Sequence, residues 1–213
     1  MPKATDGRAT IEGPVTDEGP RARYRRQVRD EVRAKAWAQI GQDGVSALSL
    51  KAIATAMGMT APALYRYYNS RDELLTELIL SAYLDLAECV EAAVDDDKPP
   101  ERQLTDIAQA IRGWALAEPQ RYLLLYGTPV PGYHAPEAAT ELARRILAPV
   151  LAAFADSGSE PEDRAASFHL SITFWTRLHG VLSLEAAGHF TGMDIDIAEL
   201  FRDEVRSLLG TPG

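Results

Sequence analysis

The chain has 213 residues, of which 46% are hydrophobic and 25% charged, enough for one compact core or two small domains on a shared helical frame. A single cysteine, Cys89, excludes an intramolecular disulfide scaffold and a cysteine-based zinc cluster. Apolar runs such as Tyr122 to Tyr126 are too short to span a bilayer and no secretion signal opens the chain, so a soluble, cytoplasmic protein without a membrane partner is expected.

The formal net charge of -9 argues against a polyanionic partner until it is divided along the chain. Arg21 to Leu75 holds ten Lys and Arg against five Asp and Glu, whereas residues 76 to 213 hold ten against twenty-two. A basic segment followed by an acidic one is the asymmetry expected when one region meets nucleic acid and the other does not.

Residues 1 to 20 combine scattered Gly and Pro with alternating charges and no apolar period, and read as a disordered tail. Val28, Val32, Ala36 and Ile40 then recur every four residues, giving a first helix that Asp43-Gly44 stops. Ser49 is placed to cap a second helix carrying Leu50, Ile53, Ala54 and Met57, and Gly58 supplies its left-handed end. Thr60 stands at the N-cap of a third helix, with Pro62 in its first turn. Ser70-Arg71-Asp72-Glu73 reads as a capping box that launches a long helix with a stripe of Leu74, Leu75, Leu78, Ile79, Ala82 and Leu86.

Beyond Pro99-Pro100 the apolar periods predict helices at Glu101 to Ala117, Pro119 to Tyr126, Pro136 to Asp156, Pro161 to Ala187 and Asp196 to Leu209, with a kink at Pro149. No segment shows strand alternation, so the expected class is all-α. The expected division is a tail over 1–20, a helix-turn-helix domain over 21–70 and a helical regulatory domain over 71–213.

Two short helices around Gly58-Met59-Thr60, in the basic part of the chain, suit a helix-turn-helix whose second helix enters the major groove of double-stranded DNA. Ala61, Pro62 and Ala63 would then face base edges, where small side chains permit close approach. Thr60, Tyr65 and Tyr67 would donate to phosphates, joined by Ser49, Lys51 and Arg71. The run Arg21, Arg23, Arg25, Arg26 would lie just ahead of the ordered part and reach into the flanking minor groove. Glycine-turn helix pairs also occur in helical proteins that bind no DNA, and Tyr65 and Tyr67 could be packing residues.

Ser49-Leu50-Lys51-Ala52-Ile53-Ala54, Gly58 to Tyr68 and Ser70-Arg71-Asp72-Glu73-Leu74 together resemble the N-terminal domain of the TetR family of transcriptional regulators, over about Val28 to Leu75. The chain departs from the family's usual pattern with Tyr68 in place of phenylalanine, Tyr67 in place of histidine and Arg71 in place of lysine. The resemblance implies an all-helical homodimer that pairs through a four-helix bundle. It also implies a variable C-terminal domain that binds a small effector and releases an operator, so that the protein acts as a repressor. By analogy the pairing would use the helices near 136–156 and 161–187, with Leu142, Ile146, Val150, Phe168, Ile172 and Leu182 as core or interface residues. Trp175, His179-Gly180 and Leu184-Glu185 are similar to a pattern in some TetR-like C-terminal domains.

For an effector site, Trp114, Tyr122, Tyr126, Phe174, Trp175 and His179 would supply aromatic walls with a few polar tips, suited to a mostly apolar ligand. Aromatics at helical spacing are also ordinary core. His169 and His179 share no helical face and neither heads an i, i+4 metal pair, so no metal or cofactor is expected. No nucleophile elbow or phosphate-binding loop occurs, so enzymatic activity is not expected. Two other classes stay open from residues alone: a helical-bundle enzyme acting on an apolar substrate, and a protein that packages DNA without regard to sequence.

Overall fold

A computed structural model describes residues 19–155 and 161–210. The tail expected over residues 1 to 20 lies outside them except for Gly19 and Pro20. The described residues form nine α-helices and one 3₁₀ turn, with no strand among them. The helices are α1 (Pro20–Asp43), α2 (Leu50–Ala56), α3 (Ala61–Leu64), α4 (Arg71–Ala92), α5 (Pro100–Ala117), α6 (Pro119–Tyr126), α7 (Glu137–Ala155), α8 (Pro161–Ala186) and α9 (Ile197–Leu209). The 3₁₀ turn, Val45–Ala47, joins α1 to α2.

Arg21, Arg23, Arg25 and Arg26 do not form an arm ahead of the fold, because α1 begins at Pro20 and carries all four on its opening turns. Pro20 stands at the start of the helix, where its missing N–H costs nothing and its fixed φ suits the helix. The apolar period reports only the face that is buried, which begins at Val28.

Two cores organise the molecule. The first gathers Val28, Val32, Ala36 and Ile40 of α1 with Leu50, Ile53 and Ala54 of α2, Leu64 of α3, Tyr68, and Leu74, Leu75, Leu78 and Ile79 of α4. The second joins Leu86, Ala87 and Val90 of α4 to residues of α5 to α9, including Ile107, Ile111, Tyr122, Ile146, Val150, Phe174, Leu178, Leu182 and Phe201. The position 70/71 therefore marks the start of α4, which serves both cores. At about 1.5 Å per residue its 22 residues span roughly 33 Å.

Local chemistry sets the boundaries. Ser70 Oγ accepts from the Glu73 amide at 3.1 Å, satisfying a free N–H in the first turn of α4, while the Glu73 carboxylate folds back to accept from the amide of Asn69, the residue before the cap, at 2.7 Å. At the end of α2, Gly58 has φ +65°. The Met59 amide there reaches Ala54 O at 2.9 Å and the Gly58 amide reaches Thr55 O at 3.1 Å, which is the Schellman pattern. α7 continues as helix through Pro149. Replacing Gly58 with Ala places a Cβ on a left-handed residue and is expected to destabilise the fold by about 1 kcal/mol in denaturant titration.

Candidate nucleic-acid interface and aromatic cluster

The helix-turn-helix is built from α2, the turn Met57 to Thr60, and α3. Ser49 caps α2 by accepting from the Ala52 amide at 3.4 Å, and its own amide donates to Gln39 Oε1 of α1 at 3.0 Å. Thr60 holds the N-cap position of α3 in extended geometry, but its side chain makes no cap hydrogen bond. Only Leu64 of α3 is fully buried, and it anchors the helix in the first core. Lys51, Thr60, Pro62 and Tyr65 are exposed, Ala61, Ala63 and Tyr67 are half-buried, and Tyr65 keeps 48% of its surface open. Arg21 and Arg25 are exposed, and the Arg25 guanidinium lies 6.0 Å from the centre of the Tyr67 ring, which ties the start of α1 to the end of the reading head. Arg26, on the same turns of α1, is also exposed.

Arg71, expected at a phosphate, is engaged within the chain itself. Its Nε donates to Leu48 O at 3.1 Å and its Nη2 to Val45 O at 2.8 Å, while Nη1 lies 3.4 Å from Asp72. The guanidinium thus pins the connection between α1 and α2 against the start of α4. Arg29 and Glu77, which the sequence reading passed over, do related work. Arg29 lies over the buried Tyr68 ring at 4.6 Å and pairs with Glu77 of α4, which also accepts from Arg33 at 3.2 Å. The spacing of charges on α1 and α4 contains no mark of this pairing, since the partners are 48 and 44 residues apart.

In the second core, four of the six aromatic candidates meet. His179 lies 4.3 Å from both Tyr126 and Trp175 by ring centres and stacks on Tyr122 at 5.6 Å. The Tyr122 hydroxyl is 2.8 Å from His179 Nδ1 and 3.1 Å from Ser183 Oγ. Tyr83 of α4 completes the group, edge-on to Tyr126 at 6.3 Å. Phe174 instead packs edge-on against Phe154 and is fully buried, and Trp114 packs on the core without a ring contact to the cluster among the described residues. Ser183 could have been found as the residue four after His179, whereas nothing local marks Tyr83.

Burial lowers the His179 pKa to about 4 and raises that of Tyr126 well above the usual phenol value, so both are neutral near pH 7. His179 Nε2 is buried without a hydrogen-bond partner among the described residues. Beside the cluster, Arg112 of α5 grips Glu185 of α8 with two hydrogen bonds of 3.1 and 2.5 Å. Its guanidinium also lies 5.6 Å from the Phe201 ring of α9. The Leu184-Glu185 element therefore divides: Glu185 is a structural tie, and Leu184 is 45% exposed.

Two outcomes follow. Arg71→Lys cannot hold both carbonyls and is expected to lower folding stability by about 1–2 kcal/mol in denaturant titration. It should weaken binding to duplex DNA while leaving the salt slope unchanged, whereas loss of a phosphate contact would reduce that slope by about one. For His179, the unfolded chain takes up a proton near pH 6.5 and the folded chain only near pH 4, so its contribution is fully present above pH 6.5 and lost as pH falls towards 4. The loss is on the order of 3 kcal/mol, and urea titrations across that range should show a flatter profile for His179→Asn.

Comparison with known proteins agrees with this architecture. Residues 32–78 match the family described as bacterial regulatory proteins, tetR family, and residues 104–208 match the tetracyclin repressor-like C-terminal domain. The solved putative regulatory protein SCO4313 is 48% identical, with a TM-score of 0.81 over 90% of this chain and 100% of that one. The HTH-type transcriptional regulator Rv1816 of Mycobacterium tuberculosis is 46% identical over 130 residues, 58% of this chain, and the match spans 56% of that relative. The TetR family regulator PfmR of Thermus thermophilus, at 18% identity over 86% of this chain and 100% of that one, shares the fold with a TM-score of 0.62. With its basic helix-turn-helix braced on α1 and α4 and its helical C-terminal core, the chain belongs to the TetR family of DNA-binding transcriptional regulators.

Proposed function

We propose that the protein is a homodimeric repressor that binds a palindromic operator and is released by a small, mostly apolar effector. The observation that carries this reading is the sharing of α4: one rigid helix is buried in the reading-head core at Leu74 to Ile79 and in the regulatory core at Leu86 to Val90. A ligand that moves the second core against α4 thereby moves the reading head, and by linkage DNA lowers effector affinity by the same factor.

In this reading Ala61, Pro62 and Ala63 approach base edges and Thr60, Tyr65, Tyr67 and Lys51 meet phosphates. Arg25 and Arg26 reach the flanking backbone from the first turns of α1, and Ser49 and Arg71 hold the unit in shape. The effector reading rests on Tyr122, Tyr126, Trp175 and His179, whose buried Nε2 has no hydrogen-bond partner among the described residues and is available to a ligand. Pairing of two copies is supported by the outward apolar residues of α8, with Phe168, Leu170 and Leu184 being 55%, 43% and 45% exposed. Ile146, Val150 and Leu182 are spent on the protein's own core.

Selection of bound duplexes from a random pool by the purified protein tests the proposal. The expected outcome is a twofold-symmetric consensus whose half-sites lie about 34–36 Å apart, one turn of DNA or a multiple of it. Recovery of sequences with no common motif would contradict it and favour packaging of DNA without sequence preference.

A further inference from the structure

The two bodies that share α4 also face each other across a cleft of about 300 Å³. One wall is the end of α1 and the turn after it, with Ile40, Gly41 and Val45; the other is α6, with Gln120, Leu123 and Leu124. No charged side chain is among the residues that line it. The cleft is separate from the aromatic cluster, which takes Tyr122 and Tyr126 from α6.

Gly41 supplies an independent observation. It sits within α1, where glycine costs stability relative to alanine. A Cβ at this position would meet no atom within 4 Å, and its φ lies outside the left-handed range. Neither steric crowding nor backbone geometry requires a glycine at this position, and as a lining residue it puts no side chain into the cleft.

We propose that this cleft is a second small-molecule site, for a compact, uncharged, largely apolar ligand with one hydrogen-bond donor. Its size falls at the low end of ligand pockets and is far too small for a helix, whose diameter with side chains is about 10–12 Å. A donor suits the amide oxygen of Gln120, a residue of the cleft wall whose Nε2 donates to Glu118 at 2.8 Å. The absence of lining charges selects against ionic ligands.

The position gives the site a regulatory consequence, which rests on the DNA-binding reading above. Next to the cleft, Arg121 of α6 reaches across to α1, 5.3 Å from the Trp37 ring, and pairs with Asp85 of α4. Val45, on the cleft wall, offers the carbonyl that Arg71 uses to hold the helix-turn-helix against α4. A molecule lodged between these walls sets the separation of α6 from α1, and so the placement of the reading head.

Indole, which is compact, uncharged and carries one N–H donor, is the probe. Titration of the full-length protein with indole, followed by backbone amide NMR, should give saturable shifts centred on Gly41, Val45, Leu123 and Leu124. In Gly41→Leu, whose side chain occupies the mouth, binding should weaken by about tenfold or more, with the fold checked by circular dichroism. Indole should also change the affinity of the wild-type protein for its selected duplex. Shifts centred on Trp175 and His179, unsaturable shifts, or unchanged binding by a folded Gly41→Leu would overturn the site, while DNA binding by the wild type would stand. Failure of the wild type to bind any selected duplex would instead remove the DNA-binding reading and leave the mapped site intact. Saturable binding at the cleft with no effect on DNA affinity would overturn the regulatory consequence.

Discussion

The reading-head core and the C-terminal core are continuous through one helix. α4 gives Leu74, Leu75, Leu78 and Ile79 to the first and Leu86, Ala87 and Val90 to the second, and the partly buried Tyr83 between them packs against both. A helix is stiff along its axis because each turn is hydrogen-bonded to the next. Displacement at one end is therefore delivered to the other rather than absorbed at a linker. Charge pairs fix the N-terminal half in place: Glu77 takes Arg29 and Arg33 from α1, and Arg71 holds the turn ahead of α2.

A second connection runs through α6 and the loop that follows it. One side of α6 presents Tyr122 and Tyr126 to His179 and Trp175. Elsewhere on the same short helix, Arg121 meets Trp37 and Asp85, and Leu124 packs on the reading-head core. The loop adds Val130 and Tyr133 to that core, and the Tyr133 hydroxyl is 3.0 Å from Thr76 Oγ1 on α4. The reading head is thus held by the C-terminal domain through α4, through α6 and through the loop after α6. The acidic balance of the C-terminal part belongs to a body that need not meet DNA, which is why total charge was a poor guide to partner.

Helices were legible in the sequence wherever a buried stripe and a terminal signal coincided. The stripe from Leu74 to Leu86, the Ser70 cap and the Gly58 stop all correspond to burial and hydrogen bonds in the fold. The start of α1 was missed because its first two turns bury nothing, and periodicity is silent where no face is covered. Arg71 was assigned to a phosphate because a cation at a helix start suggests an anion. In the fold its guanidinium donates to the Val45 and Leu48 carbonyls, 26 and 23 residues away, which become near only once the turn has folded. The aromatic cluster was half legible: Trp175 and His179 share a helical face, but Tyr83 enters from a helix that local pattern assigns to another role. The cleft at Gly41 exists only between elements, so no local pattern carries it.

The central claim is that α4 makes the two cores one mechanical unit, and native-state hydrogen exchange of its amides tests this most directly. If the claim holds, amides near Leu75 and Leu78 and those near Leu86 and Val90 open with a common free energy, and duplex DNA raises the protection of both sets. Opening of the Leu75 and Leu78 amides at a distinctly lower free energy, with DNA protecting that half alone, would contradict it.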